Sequence, residues 1–595
     1  GGSGGNSNGI NIGNQYPASG AAPVQFVGLG AASVNVTGIG GSGVNGGNGL
    51  QWVSGGSTGS LVIQTAGTGN VTVTGVAGSG GSGIATNNAS SVGSTGSGSV
   101  TLVADSLVLG AANTVSSATD LTIRPVTSGT TIGIGSGAAG SLGLSDSELA
   151  QLGWGRLLTI GGASAGTTTI DTAFAFANPL AVVSGAGADI DLASPLRSTS
   201  GATTPTLTLS AGRNFVNGAG AAALDPGAGV WRVYSSDPAF DTRDGLAPDF
   251  KQYAALYDTT PVQGSGNGAL YRIAPSLTPS LTGTIGKIYD GTDTAALTPA
   301  NYAVTGAIDG DSVVVGNGSA AYDTRNAGTG KLVGATGIGI ASATQGAIPV
   351  YGYALSDAAA AAPIGTIVPA ALSLGATADS KVYDGSTRSS AMPVVSGLVA
   401  GDSVTSLTQT FDGSAAGART LGISTYTIND GNGGANYQVT ALTAAGRIAP
   451  APLVVTADDK GRTTWQPNPA LTASYDGLVA GQTPADLTGT LVLTTAATPS
   501  SPAGSYAIVA GGQSSANYSI RYVDGTLRIA PALGNGPTPP DSSQSQRDAR
   551  LLAASIFFAP GCRPPAEQAH TCLGETACRP KLPPCDSLTV APSGR

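Results

Sequence analysis

Short runs in which apolar or β-branched residues alternate with Thr, Ser or Asn recur along most of the chain. Typical runs are Ser33–Val36, Leu61–Gln64, Val71–Thr74, Val100–Val103 and Leu121–Ile123. Alternation with a period of two is the pattern of a strand with one buried face, whereas an amphipathic helix repeats roughly every 3.6 residues. Gly, Asn, Asp and Pro separate the runs, which predicts an all-β chain that is dense in turns.

The first part of the chain predicts a right-handed parallel β-helix over residues 23–224, preceded by a disordered edge at 1–22 that is mostly Gly, Ser and Asn. Coils of roughly 20 residues, each rising about 4.8 Å, would be too small to bury their own apolar face, so stacking them builds the core. Gly/Ser-rich sequence is also typical of flexible linkers, and an array of β-sandwiches is a further alternative. The recurring Val, Ile and Leu favour the β-helix over disorder.

Aromatic residues concentrate in 225–275, where we expect a cap over the open end of the β-helix. A solenoid end exposes unpaired strand edges, which such a cap would cover. The aromatic residues are Trp231, Tyr234, Phe240, Phe250, Tyr253, Tyr257 and Tyr271. A carbohydrate-stacking patch is the alternative interpretation. A calcium site is a further alternative for this segment, although the spacing of its carboxylates does not follow the EF-hand order. The carboxylates concerned are Asp237, Asp241, Asp244 and Asp249.

The later part of the chain repeats itself. A closing phrase recurs as Arg272–Pro275, Thr366–Pro369, Arg447–Pro450 and Arg528–Pro531. Self-similarity at a nearly fixed period indicates tandem modules. We place them at 276–369, 370–450 and 451–531, each a β-sandwich of short strands. Their shared signature residues are Tyr289, Asp290, Gly291, Tyr383, Asp384, Gly385, Asn436, Tyr437, Asn517 and Tyr518.

These phrases resemble those of the YDG and MBG-type repeat modules of large bacterial surface adhesins. The resemblance rests on Lys287–Gly291 and Lys381–Gly385, on Gly397–Asp402, and on an Ala-Asn-Tyr phrase followed by a closing strand. The third module differs, because its Tyr-Asp-Gly falls in the phrase Tyr475–Gln482 rather than after an opening Lys. We therefore identify the first two modules as YDG-type and the third as MBG-type, with turns that need not be equivalent.

The preceding region resembles the filamentous-haemagglutinin-like adhesins of two-partner secretion. This resemblance rests on Gly143–Leu149, Leu209–Asn217, Trp231–Pro238 and Gly245–Tyr253. It implies export through an outer-membrane β-barrel transporter and a location outside the cell or on the bacterial outer-membrane surface. It also implies adhesion to a host surface glycan or protein, and hence a part in virulence.

Composition narrows the function further. The net charge is −9 and only 10% of residues are charged, so the chain lacks the basic footprint of a nucleic-acid-binding protein. No apolar run is long enough for a transmembrane helix. His570 is the only histidine, and no charged residue precedes Asp105. We therefore expect no enzyme activity and no cofactor, although a polysaccharide-active enzyme on the β-helix stays as an alternative. Because the sequence has no initiator Met or leader, we expect a piece of a longer protein.

Residues 532–595 predict a Pro-rich linker and a mostly disordered tail that holds every cysteine. These are Cys562, Cys572, Cys578 and Cys585. Two disulfides of unspecified pairing fit an oxidising compartment. Zinc binding together with His570, or a reduced tail, are the alternatives. Disulfide loops could also stop the tail in an export pore and tether the protein.

Taken with the resemblances, these patterns predict a secreted or cell-surface adhesin fragment, in which a β-helical shaft presents β modules for attachment. A structural spacer or matrix protein with no specific receptor would share every repeat feature and is the main alternative.

Overall fold

The structure is a computed structural model that describes residues 10–12, 24–41, 47–52, 60–86, 90–111, 113–316, 318–479 and 481–532. The cysteine tail and nearly all of the proposed N-terminal edge lie outside these residues. The described chain is almost entirely β-strand, with one short α-helix and three 3₁₀-helices, so the predicted all-β class is confirmed. No helix among the described residues is long and apolar enough to cross a membrane.

The N-terminal region is a stack of parallel strands, as predicted. Its strands are β1 (Ile10–Ile12), β2 (Val24–Gly28), β3 (Val34–Ile39), β4 (Leu50–Trp52), β5 (Leu61–Thr65), β6 (Val71–Val76), β7 (Ile84–Thr86), β8 (Ser90–Ser94), β9 (Val100–Ala104), β10 (Leu107–Leu109), β11 (Thr114–Ser117), β12 (Asp120–Arg124), β13 (Thr130–Ile134), β14 (Leu142–Leu144), β15 (Leu152–Trp154), β16 (Leu157–Gly161), β17 (Ala165–Ile170), β18 (Phe174–Phe176), β19 (Leu180–Val183), β20 (Ile190–Leu192), β21 (Leu196–Ser198), β22 (Pro205–Ser210), β23 (Phe215–Asn217), β24 (Leu224–Asp225) and β25 (Val230–Ser235). The helix α1 (Asp146–Leu149) follows β14.

One face of this β-helix shows how the alternating pattern forms the core. Strands β3, β6, β9, β12, β16, β19, β22 and β25 follow one another in a single parallel sheet. Val71 pairs with Val100, Val100 with Leu121, and Leu121 with Leu158, and all four side chains are buried. The following threonine of each strand points the other way and is partly exposed. Stacked aliphatic residues inside and threonines outside are therefore a direct result of the period of two.

Coil lengths are less regular than the expected 20 residues. The shortest coil of this face runs 21 residues, from Val100 to Leu121, and the longest runs 37, from Val34 to Val71 and from Leu121 to Leu158. The last of these holds β13, β14 and α1, so an extra strand and a helical turn lengthen it. The expectation of a constant coil length is wrong, because only the paired strands must match in length and register, while the corners between them can vary.

The segment 225–275 continues the β-helix into the first module. It holds the 3₁₀-helix η1 (Pro238–Phe240) and strands β26 (Phe250–Gln252) and β27 (Gly268–Tyr271). Strand β27 pairs in parallel with β25, and β26 pairs in parallel with the other edge of β27. Strand β35 (Ile348–Tyr351) of the first module then pairs in parallel with β26. The sheet edge is thus covered by strands rather than left open.

Most aromatic residues of this segment are buried, which argues against the carbohydrate-stacking alternative. Trp231, Phe250, Tyr253 and Tyr271 are each 3% exposed or less, and a sugar cannot stack on a ring that solvent does not reach. Phe240, at 68% exposed, and the partly exposed Tyr257 are the exceptions.

The first module has two small sheets and a strand extension toward the β-helix. Its strands are β28 (Ser276–Leu281), β29 (Ile285–Ile288), β30 (Tyr302–Thr305), β31 (Ser312–Gly316), β32 (Ser319–Tyr322), β33 (Gly328–Thr336), β34 (Gly339–Gln345), β35, β36 (Ala354–Leu355) and β37 (Ala359–Val368), with the 3₁₀-helix η2 (Pro299–Asn301). Strand β28 pairs antiparallel with β30 and parallel with β36. The second sheet has the order β29-β37-β33-β32.

The second module repeats this topology with β38 (Ala370–Gly375), β39 (Asp379–Val382), β40 (Val394–Ser396), β41 (Ser403–Phe411), β42 (Gly417–Asn429), β43 (Tyr437–Leu442) and β44 (Ala444–Ala449). Strand β38 pairs antiparallel with β40 and parallel with β43. The second sheet has the order β39-β44-β42-β41. The same strand order in both modules explains why their sequence phrases keep one order.

The third module contains β45 (Ala451–Ala457), β46 (Lys460–Thr463), β47 (Ala473–Asp476), β48 (Val492–Thr495), β49 (Gly504–Gly511), β50 (Tyr518–Val523) and β51 (Gly525–Ala530), with the 3₁₀-helix η3 (Pro484–Asp486). Strand β45 pairs antiparallel with β47 and parallel with β50, as in the other modules. Residues 459–470, 495–507 and 526–532 belong to a separate compact unit, in which β46 pairs in parallel with β51.

Candidate functional site at the module joints

Signature residues of two different modules meet where the first module joins the second. Tyr289, which directly follows β29, donates its hydroxyl hydrogen to Oδ2 of Asp402 at 2.9 Å. Tyr437 of the second module donates to the same oxygen at 2.6 Å. The two rings meet edge to face, with centroids 5.5 Å apart and planes at 78°. All three side chains are buried, so the first module inserts a tyrosine into a polar pocket of the second.

The loop Gly397–Asp402 forms that pocket. Gly397 and Gly401 have φ values of +90° and +96°, a left-handed conformation that favours glycine. Between them, the Val399 amide donates to the hydroxyl of Tyr437 at 2.9 Å. This hydroxyl therefore accepts from the loop backbone and donates to Asp402, which fixes the tyrosine in one orientation. Burial, followed by the hydrogen bond to Asp402, raises the pKa of Tyr437 to about 12.

The three residues of each Tyr-Asp-Gly signature have separate roles. Asp290 lies outside the joint and accepts hydrogen bonds from Lys287 Nζ at 2.8 Å and from the Thr292 amide at 2.9 Å, closing its own turn. Burial opposes the shift, but the Lys287 hydrogen bond lowers the pKa of Asp290 to about 2. Gly291 has φ +80°, and a Cβ there would lie 3.0 Å from Cγ1 of Val399. The tyrosine thus forms the joint, the aspartate shapes the turn and the glycine provides clearance.

The same arrangement joins the second module to the third. The hydroxyl of Tyr383 accepts a hydrogen bond from Nε2 of Gln482 at 2.8 Å, and Tyr518 donates to Oε1 of the same residue. The rings are again edge to face, 5.4 Å apart at 82°. The Val479 amide donates to Tyr518 at 2.9 Å. An amide can serve both tyrosines because it carries a donor and an acceptor, whereas a carboxylate at this position only accepts.

The turn around this second joint also matches the first. The hydrogen bond from Lys381 Nζ to Asp384, at 2.8 Å, is the main cause that lowers the pKa of Asp384 to about 2. Gly385 has φ +77°, and a Cβ there would lie 3.2 Å from Cγ1 of Val479.

The signature asparagines make a second contact across each joint. Oδ1 of Asn436 accepts a hydrogen bond from the amide of Ala327 in the first module, at 2.8 Å. Oδ1 of Asn517 accepts one from Ala416 in the second module, also at 2.8 Å. Because each bond ties a side chain to the backbone of the preceding module, it restricts rotation about the tyrosine.

A third copy of the joint, which the sequence analysis missed, connects the 225–275 segment to the first module. Tyr253 and Tyr353 both donate to Oδ2 of Asp311, at 2.6 and 2.8 Å. The Ile308 amide donates to Tyr353 at 3.0 Å, and the rings lie 4.8 Å apart at 62°.

Two sequence signals mark this third joint. The spacing of Lys251 and Tyr253 equals that of Lys and Tyr in both Tyr-Asp-Gly signatures. The phrase Gly306–Asp311 likewise matches Gly397–Asp402 in the spacing of its glycines and its aspartate. No Asp-Gly follows Tyr253, so the Tyr-Asp-Gly signature of the other modules does not mark this joint.

The joint between the 225–275 segment and the first module contains an ion pair in which both side chains are fully buried, whereas at the joint between the first and second modules the 43% exposed Arg325 lies 3.9 Å from Asp402. Nζ of Lys251 lies 2.8 Å from Oδ2 of Asp309 and 2.5 Å from Oδ1 of Asp311. Arg243 donates to Asp309 at 2.7 Å. The side chains of Lys251 and Asp311 are both 0% exposed. Burial raises the pKa of Tyr253 well above its usual range, and the anionic Asp311 adds to this effect. The charges of two cations and two carboxylates therefore cancel in a largely buried cluster.

The corresponding position at the end of the third module has no tyrosine. The Thr464 amide donates to the carbonyl of Ala530 at 3.0 Å, as the Tyr289 amide does to Val368 at 2.8 Å. Thr464 therefore occupies the place of the joint tyrosine. The Tyr475 of the third module's own Tyr-Asp-Gly phrase lies in β47 and donates to Gln513 instead. The two kinds of Tyr-Asp-Gly phrase are thus different structural positions.

The remaining candidates from the sequence serve local structure. Asp241 accepts from the Phe215 amide at 2.9 Å and from Ser235 Oγ at 2.6 Å, and burial raises its pKa to about 6. Asp237 accepts from Ala239, and Asp249 accepts from Asn267.

Across the residues that the structure describes, no group of three or more His, Cys, Asp or Glu could hold a metal ion. The calcium hypothesis therefore has no support there. The cysteines lie outside these residues.

Comparison with protein-family models identifies the modules. The YDG domain model matches residues 274–359 and 368–444, and the MBG domain (YGX type) model matches 453–528. No curated protein and no solved structure matches the chain. The chain therefore contains two YDG domains and one MBG domain, which are domain types typical of adhesin-like or surface proteins.

Proposed function

We propose that this chain belongs to a bacterial cell-surface adhesin of the filamentous-haemagglutinin-like, two-partner-secreted kind. The observation that carries the proposal is the tandem arrangement of two YDG domains and one MBG domain after a parallel β-helix. Each domain is fixed to the preceding one by the same tyrosine joint. Joints of this kind suit a protein that keeps its consecutive domains in a defined orientation while it contacts a surface.

The mechanism is multivalent attachment without chemistry. Several weak contacts on linked domains gain avidity because each binding event raises the effective concentration of the next one. The ligand is a host surface glycan or protein, the exporter is an outer-membrane β-barrel transporter, and the chain has no enzyme activity. The low charge supports this proposal, since a 10% charged chain attracts few nonspecific electrostatic partners.

A spacer or matrix role is the second candidate. The outward threonines of the β-helix favour it, because residues such as Thr72, Thr101 and Thr122 present a uniform, uncharged face. A spacer would have the same joints but no receptor.

Surface shaving and binding measurements separate these functions. Intact bacteria that produce the protein are treated with protease and probed with antibodies against the YDG domains, and the purified chain is then tested on host cells and a glycan array. Loss of the surface signal together with saturable binding supports the adhesin. Surface location without saturable binding supports the spacer. A protein found only inside the cell contradicts both.

A further inference from the structure

The cluster around Lys251 brings together a nucleophile, an electrophile and a proton acceptor. Lys251 Nζ lies 2.5 Å from Asp311 Oδ1, next to the carboxyl carbon of that residue, and 2.8 Å from Asp309 Oδ2. Lys251 and Asp311 come from the β-helix cap and from the first YDG domain, respectively. We propose that Lys251 and Asp311 form an intramolecular isopeptide bond, which covalently joins the β-helix cap to the first YDG domain.

The surroundings of Asp311 fit this reaction. Tyr253 and Tyr353 both donate to Oδ2, so this oxygen has two donors in place when it gains negative charge in the tetrahedral intermediate. Asp309 accepts the proton that Nζ loses, and Arg243 holds Asp309 in position at 2.7 Å. Oδ1, the oxygen beside Lys251, is the one that leaves.

The step balances in atoms and charge. Nζ of Lys251 bonds to Cγ of Asp311 and the Cγ–Oδ1 bond breaks. Two of the three ammonium hydrogens leave with Oδ1 as one water, with Asp309 relaying the proton, and the third stays on the amide nitrogen. One cation and one anion become a neutral amide, so no oxidant, reductant or co-reactant takes part.

Burial favours the amide over the ion pair. Lys251 and Asp311 are the pair with 0% exposure on both sides, while Arg243 and Asp309 retain 28% and 15%. Keeping two opposite charges out of water is costly even when they are paired, and condensation removes both charges. The pair that remains, Arg243 with Asp309, is balanced and closer to solvent.

The chain contains its own comparison sites. Lys287 and Lys381 have the same sequence spacing to a joint tyrosine, but they contact Asp290 and Asp384, whose side chains are 52% and 53% exposed. Neither aspartate accepts a tyrosine hydroxyl, and exposed ion pairs lose little by staying charged. These two lysines are therefore expected to remain free.

Mass spectrometry of the denatured full chain tests the proposal. The expected intact mass is lower than the sequence mass by one water, and the tryptic peptide containing Lys251 is joined to the one containing Asp311. A succinimide at Asp309–Gly310 loses the same mass, so the linked peptides decide the matter. Peptides cleaved after Lys251, with no linked species, would overturn the proposal and leave an ion pair.

Two variants assign the roles. Lys251→Arg keeps the charge but is expected to abolish the link and restore the full mass. Asp309→Asn keeps both reacting groups and is expected to lower the linked fraction. A linked fraction unchanged in Asp309→Asn would overturn the assigned proton acceptor. Peptides containing Lys287 and Lys381 serve as internal controls. If a variant fails to fold, the map of the unmodified chain still decides whether the bond exists.

Discussion

The joint between the two YDG domains depends most on the side chain of Asp402. It accepts from Tyr289 at 2.9 Å and from Tyr437 at 2.6 Å, and it is buried. Asp402→Ala removes the acceptor of both buried hydroxyls, although Tyr437 still accepts from the Val399 amide. Hydrogen bonds to charged groups contribute about 1.5–3 kcal/mol each, so we expect the loss of both to cost the joint about 3–6 kcal/mol.

The chain itself supplies the matched control. Gln482 occupies the equivalent position in the MBG domain and contacts Tyr383 and Tyr518. Asp402→Gln can therefore serve both tyrosines, and we expect it to cost less than about 1.5 kcal/mol. The difference between the two variants isolates the hydrogen bonds from the change in charge.

Hydrogen exchange of the full chain measures the effect locally. The Val399 amide donates to Tyr437, one of the two tyrosines that Asp402 holds, so it exchanges when Tyr437 is released from the pocket. A loss of about 3 kcal/mol corresponds to roughly hundredfold faster exchange. Exchange of the Val479 amide at the other joint should not change. Equal exchange rates at Val399 in Asp402→Ala and in the unmodified chain would refute the reasoning, as would equal rates in the Ala and Gln variants.

Four further outcomes follow from the structure. The pKa of Tyr437 is about 12 in the folded chain rather than 10.0, so the contribution of this side chain to the free energy of unfolding is complete below pH 10 and is lost as the pH rises through 12. Tyrosinate absorbance and the unfolding of the YDG domains should therefore change together near pH 12. Asp241 has a pKa of about 6 instead of 3.8, so it favours the folded state most below pH 3.8 and least above pH 6; Asp241→Asn should remove this dependence from thermal melts. Gly291→Ala, at φ +80°, should destabilise the first YDG domain by about 1–2 kcal/mol in urea titrations. Leu158→Ala, fully buried in the β-helix, should cost about 2–5 kcal/mol and speed exchange in the neighbouring coils.

Local patterns were sufficient to predict the strands and their class. Val71, Val100 and Leu121 alternate with threonines, and the period of two decides which side chains face inward. Coil length could not be predicted, because the period of two does not say how many residues separate paired strands, although the Ser145–Glu148 capping box is a sequence signal for the helical turn in the Leu121–Leu158 coil. Corner residues are free to vary once the strands pair.

The sequence predicted some residues of the joints but not the contacts that these residues make. Repetition marked Tyr289 and Tyr437 as landmarks, but not that they meet across two domains, because such contacts depend on the tertiary fold. Asp402 and Gln482 end equivalent phrases with different residues, and only their shared partners show the same role. The pairing of Lys251 with Asp311 joins residues 60 positions apart, and at the next joint the equivalent Asp402 has the more exposed Arg325 at 3.9 Å instead of a buried lysine.

The most direct test of the central claim, that a buried tyrosine holds each domain to the next, is a distance distribution between the two YDG domains. Spin labels on the exposed positions Ala321 and Thr440, with the four tail cysteines replaced by Ser, report it by pulsed electron resonance. The structure predicts one narrow distribution, which broadens in Tyr289→Ala and is unchanged in Tyr475→Phe. A distribution as broad in the unmodified joint as in Tyr289→Ala would contradict the account.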